Sequence, residues 1–177
     1  FGMLWMVTIG IVSQFVPRMM SVGYTQGDAL TLLTVSALIA CPGSYFWGWL
    51  DQKTSTKAAS VVYAASYVIA LILLILQLGT VTTWIACVFV GLGLGGLLNL
   101  IPSLAISVYG RYDFMAVNRL ISPISSLVRV FAFAIMAALL AASGGSYTLP
   151  YIVFIVIDII GAILILLVTN KCKGKVD

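Results

Sequence analysis

The sequence predicts an all-α integral membrane protein with six transmembrane helices, and three observations predict it. Of its 177 residues, 62% are hydrophobic and only 8% are charged, against roughly a quarter charged in a soluble domain. With a mean hydropathy of +1.17, most of its surface cannot face water. The apolar residues form six long continuous runs, without the alternation that marks the strands of a membrane barrel. The links between runs are too short to fold as separate domains.

A spanning helix needs about 20 mostly apolar residues, and six segments supply them. The first, residues 2–21, starts directly after Phe1 with no charged leader or small-residue cleavage site. A cleaved signal is therefore not expected, and the chain reads as part of something longer. The second, residues 29–50, lies between "VGYTQGD" and "DQKTSTK"; the third, residues 58–78, ends near "GTVT". The fourth, residues 82–107, runs into "YGRYDFMA", and the fifth, residues 117–142, ends at "SGGS". The sixth covers residues 147–169 and carries Pro150 in its first turn, where the missing N–H costs nothing. Residues 1–177 thus read as one six-helix transmembrane domain with no soluble domain.

The fourth run contains Gly91, Gly93 and Gly96, which spell G-x-G-x-x-G. As a dinucleotide fingerprint, that spacing needs a strand, a turn and a helix, with an acid about 20 residues on. Here it lies inside an apolar run, and Asp113 is the only acid near that distance. Gly91 and Gly95 form a G-x-x-x-G instead, which lets helix backbones approach closely in lipid. A packing role is expected, and no cofactor.

Basic residues collect on the cytoplasmic side of a membrane protein. Lys53, Lys57, Arg111, Arg119, Lys171, Lys173 and Lys175 fall on one face if six helices alternate, and Arg18 alone on the other. This orients the C-terminus towards the cytoplasm, in what is expected to be the plasma (cytoplasmic) membrane. Trp47, Trp49, Trp84, Tyr109, Tyr112 and Tyr147 lie near helix ends, as an aromatic belt requires. The net charge of +4 is then a topology signal with membrane lipid as its partner, and no nucleic acid is implied.

Helices one and four share a polar-x-x-Pro element, "QFVP" at residues 14–17 and "NLIP" at 99–102. They run in opposite directions, so a three-plus-three repeat would have the inverted topology of secondary transporters. The tolerance of proline in membrane helices explains the echo equally well.

The stretch "PGSYFWGWLDQKTSTKAA" resembles the loop signature of the major facilitator superfamily. Gly48, Asp51, Lys53 and Lys57 fill its glycine, aspartate and basic positions, while Ser55 and Gln52 depart from it. The fourth helix ending in "SVYGRYDFMAVNR" is similar to the tenth helix of such carriers. The resemblance implies the C-terminal half of a twelve-helix carrier, made of two inverted three-helix repeats, whose partner is the N-terminal six-helix half. It also implies a gate at Gly48, Asp51, Lys53 and Lys57. Asp51 would latch a helix N-terminus of the other half, where the helix dipole favours an acid.

Two charges lie deep inside spans, where charges are rare and usually functional or paired. At 1.5 Å per residue, Arg129 is roughly 18 Å and Asp158 roughly 16 Å from the basic end of its helix. They share a depth, so one reading is a buried ion pair. In the other, Arg129 binds an anionic substrate with its planar donor fork. The chain loosely resembles the oxalate/formate antiporter branch, in which a basic residue sits midway along that helix. Asp158 as a proton-coupling group is a further reading. Gln14, Ser13, Arg18 and Asn99 are the next candidates for substrate contact, since helices one and four line the cavity in the family. Their carboxamides would equally satisfy carbonyls freed by the prolines.

The chain has no histidine, and Cys41, Cys87 and Cys172 have no C-x-x-C spacing. Histidine-based metal sites and Ser/His/Asp catalysis are thereby excluded, and no enzyme is expected. The expected function is secondary transport of a small solute, in this reading an organic anion, by alternating access. A channel or pore-forming subunit is the alternative, though no filter motif is visible. Cysteine-accessibility labelling is expected to find position 175 on the cytoplasmic side and position 145 outside, and the reverse pattern would overturn the orientation.

Overall fold

A computed structural model describes residues 1–110 and 114–168. These are all-helical, in six helices long and apolar enough to cross a membrane: α1 (Gly2–Ser21), α2 (Gln26–Lys53), α3 (Thr56–Leu76), α4 (Thr80–Tyr109), α5 (Phe114–Ala142) and α6 (Thr148–Leu167). The chain is a multi-pass membrane protein. Arg111, Tyr112, Lys171, Cys172, Lys173 and Lys175 lie outside the described residues.

Helix limits follow from local capping. Thr25 accepts from the Asp28 N–H at 3.2 Å and starts α2 three residues before its apolar run. Ser55, standing where the resembled loop carries glycine, accepts from the Ala58 N–H at 3.2 Å and starts α3. Serine and threonine at this position offset the orphan donors of a first helical turn. Gln77 ends α3 in the left-handed region, at φ 46°.

The helices pack in a defined set of pairs. The most extensive are α2 with α4, α3 with α4, α1 with α5, and α3 with α6. Smaller contacts join α1 to α2, α4 and α6, α2 to α3, and α5 to α4 and α6.

The G-x-G-x-x-G run lies in the middle of α4 and splits between two faces. A Cβ on Gly91 would sit 2.6 Å from the Ser36 carbonyl oxygen, and one on Gly95 2.3 Å from that of Ala40. Gly43 of α2 answers them, its own Cβ position lying 3.0 Å from Leu92 Cα. On the other face, Cβ atoms at Gly93 and Gly96 would collide with the rings of Tyr67 and Tyr63. The glycines make helix contacts, as the G-x-x-x-G reading expects.

Two belt assignments need correction. Trp47 is 1% exposed: its indole N–H donates to the Leu92 carbonyl at 2.8 Å, and its ring meets Tyr63 with centroids 5.3 Å apart. Tyr147 is also buried, against Arg18. Both face the bundle, where an indole or phenol packs its apolar body and finds a polar neighbour. Trp49, Trp84 and Tyr109 are exposed.

Gly95→Ala is expected to destabilise the bundle by about 1–3 kcal/mol through overpacking, because its obstacle is backbone. Gly48→Ala is the control: its nearest neighbour is Asn99 Nδ2 at 4.0 Å, and its stability should be unchanged or slightly raised by alanine's helix preference. Thermal unfolding in detergent compares them, and equal melting temperatures would refute the close-approach account.

Candidate functional site

The polar side chains within the bundle separate into four groups. The first surrounds Arg129. Along α5, Asn118, Ser122, Ser125, Ser126 and Arg129 recur at helical spacing and therefore share a face. With Trp5 of α1 and Ile101 of α4 they line a cleft of about 150 Å³. The Arg129 guanidinium lies over the Trp5 ring, 5.1 Å from its centroid, and one nitrogen donates to Ser126 Oγ at 3.5 Å. Stacking holds the fork without using its N–H groups. Ser122, Ser125 and Ser126 add hydroxyls that can both donate and accept. The sequence reading missed Trp5, Asn118 and the serines, although their spacing on α5 was a visible signal.

The second group is built on Asp158, which is 1% exposed in the core of α6. The expected pair with Arg129 is not formed. Both Asp158 carboxylate oxygens are buried without a hydrogen-bond partner, whereas Arg129 faces α1. The two side chains point to different neighbours. Asp158 lies near Tyr63 and Tyr67 of α3, whose rings sit 5.1 Å apart. Tyr63 Oη is 3.0 Å from Thr8 Oγ1, and the Thr8 hydroxyl donates to the Leu4 carbonyl at 2.9 Å. Tyr67 Oη has no partner.

Arg18 heads the third group. It is buried, and its guanidinium lies 5.1 Å from the Tyr147 ring centroid and 5.8 Å from that of Tyr151. It donates to the Leu74 carbonyl at 3.0 Å, and Gln77 turns its amide oxygen towards it. Arg18 thus joins the ends of α1, α3 and α6, and its fork is committed to the Leu74 carbonyl and the Gln77 amide at the end of α3. Ser13 bonds the Gly10 carbonyl at 3.0 Å, and Gln14 is half-buried with no hydrogen bond among the described residues.

The fourth group occupies a groove of about 540 Å³ between α2 and α4, lined by Ser44, Gly48, Asp51, Asn99 and Ser103 among others. Asn99 donates to the Ser44 carbonyl and hydroxyl at 2.7 Å each, so it joins α4 to α2 and does not serve a proline-freed carbonyl. Ser103 Oγ donates to one Asp51 oxygen, and the other Asp51 oxygen is buried without a partner. Lys53 lies over the exposed Trp49 ring at 4.8 Å, and Lys57 donates to the Val168 carbonyl at the end of α6. Gly48, Asp51 and Asn99 are therefore brought together; Arg129, Arg18 and Gln14 are each elsewhere.

No family model, curated protein or solved structure matches the chain.

Arg18→Ala is expected to lower stability by about 1–3 kcal/mol, the cost of leaving the Leu74 carbonyl unpaired. A melting temperature equal to that of the unsubstituted protein would show that the cross-link between α1, α3 and α6 is idle.

Proposed function

We propose that the chain is the C-terminal six-helix half of a twelve-helix secondary transporter that moves a small organic anion by alternating access. The observation that carries this reading is Arg129, stacked on Trp5 in a hydroxyl-lined cleft, about 22 Å from the start of α5 and 20 Å from its end at 1.5 Å per residue. A cation at that depth needs an anionic or π partner, and Trp5 leaves most of its N–H donors for a carboxylate.

The pairing of helices supports two inverted repeats. Exchange α1 with α4, α2 with α5 and α3 with α6, and the packed pairs map onto one another. The α2/α4 pair becomes α5/α1, α3/α4 becomes α6/α1, α1/α2 becomes α4/α5, and α2/α3 becomes α5/α6; α1/α4 and α3/α6 map onto themselves. A shift of three helices reverses direction across the membrane, which is the inverted repeat of such carriers. The repeat mates α2 and α5 are also thinly covered, with Ala132 and Met136 the buried residues of α5. Their open faces are where an N-terminal half would pack. The unpartnered Asp51 oxygen beside the α2/α4 groove is an acceptor for the latch donor that half would supply. The basic end carrying Lys53, Lys57 and Arg119 faces the cytoplasm.

The full-length carrier in proteoliposomes, with labelled oxalate or formate as probe, tests the substrate site. Arg129→Ala should abolish saturable uptake, and Arg129→Lys should weaken binding about 10- to 100-fold, since bonds to charged groups contribute roughly 1.5–3 kcal/mol. Normal uptake by a folded Arg129→Ala variant would remove Arg129 from the substrate site.

A further inference from the structure

The hydrogens around Asp158 can be assigned one by one. Leu4 offers only a carbonyl oxygen, so the Thr8 hydroxyl hydrogen points to it. The 3.0 Å contact between Thr8 and Tyr63 must then use the Tyr63 hydrogen. Ser66 spends its hydrogen on the Tyr63 backbone carbonyl, and Ser60 on that of Thr56. The Tyr67 hydroxyl is uncommitted, but it makes no bond with Asp158 either. An ionised carboxylate has two acceptor oxygens and about four lone-pair sites, and here none is satisfied in a site almost closed to solvent. A protonated carboxyl carries no charge to solvate, so it can stay in the closed site at far lower cost.

The charged and titratable groups facing this site do not change the count. From α3 they are Tyr63 and Tyr67, with Lys57 committed to Val168 at the far end. From α1 the nearest polar group is Thr8, and Arg18 is held two turns away at Tyr147 and Tyr151. From α5, Arg129 faces Trp5. On α6 itself, Tyr151 is neutral and buried, and Phe154, packed against Gly10, separates it from Asp158. A metal ion would need six or so oxygen ligands, and the tyrosine rings already fill the space left by Gly93 and Gly96. A proton needs no room.

We propose that Asp158 is an occluded proton-binding site, its carboxyl enclosed in the bundle without a hydrogen-bond partner, and that this proton is the ion coupled to anion transport. The coupling half rests on the transporter reading; the proton site does not. Exchange of the proton requires α6 to part from α1 and α3, so the packed state described here is the proton-loaded one.

Infrared spectroscopy of the full-length carrier in lipid, with Asp158→Asn as reference, reads the proton directly. The chain has five acidic residues, all aspartates. A carbonyl stretch of a protonated carboxylic acid should be present at neutral pH and lost in Asp158→Asn. Its absence from the unsubstituted protein would overturn the proposal. The second readout is uptake of labelled oxalate or formate into proteoliposomes. Asp158→Asn should abolish accumulation driven by a pH gradient while keeping exchange at equal pH. Gradient-driven accumulation by Asp158→Asn, or a sodium gradient driving uptake in place of protons, would overturn the coupling. If the unsubstituted protein moves neither anion, the transporter reading fails there, and the infrared band still decides the proton site.

Discussion

In lipid, helices gain nothing by hiding apolar side chains from one another, because the surrounding tails are equally apolar. Association depends on dispersion contacts, which require close approach, and on hydrogen bonds between helices. The four glycines of α4 meet that requirement on two sides. Gly91 and Gly95 let α2 come to backbone contact, which places the Trp47 N–H on the Leu92 carbonyl and Asn99 on Ser44. Gly93 and Gly96 admit the rings of Tyr67 and Tyr63, which sets the phenols at the depth of Thr8 and Asp158. A side chain at any of these positions would move α2 or α3 outwards and separate groups that now touch.

The two charges inside the bundle show how differently one bilayer can house ions. Arg129 is half-buried, stacked on an indole and bordered by hydroxyls in an open cleft. Asp158 is enclosed, with the α3 phenols nearby and no hydrogen-bond partner. A guanidinium keeps its charge in almost any setting, so it has to be partnered or hydrated. A carboxyl can discard its charge by taking a proton, and a closed site suits that. The residue types and their enclosures match.

Much of this was legible in the sequence. Hydropathy located all six helices, and their limits moved by up to three residues, at the starts of α2 and α3 because Thr25 and Ser55 supply caps that a hydropathy window does not weigh. The apolar setting of Gly91, Gly93 and Gly96 already argued for helix packing. What was not legible is azimuth, the direction in which a side chain leaves its helix. Trp47 and Trp49 lie two residues apart near the same helix end, yet one is core and the other surface. Residue counts from the helix ends suggested that Arg129 and Asp158 meet, yet Arg129 lies over Trp5 and Asp158 lies near the α3 tyrosines. Azimuth was partly recoverable: Asn118, Ser122, Ser125, Ser126 and Arg129 form one polar stripe, and Ser36, Gly43 and Trp47 one buried stripe. Which helix each stripe meets depends on long-range pairing, which spacing within one helix does not encode.

That pairing also fixes the order in which the molecule can be completed. The main neighbour of α1 is α5, and α5 begins at Phe114 while α1 ends at Ser21. At a synthesis rate of about 5–20 residues per second, α1 waits on the order of 5–20 s for that partner. During this interval α2, α3 and α4 can already assemble around the glycine faces. Arg18 has Leu74 available but not yet Tyr147 or Tyr151, and Thr8 can meet Tyr63 before Asp158 exists. The proton site and the arginine cleft are therefore the last parts of the bundle to form, and an interrupted chain would carry a finished α2–α4 core with neither.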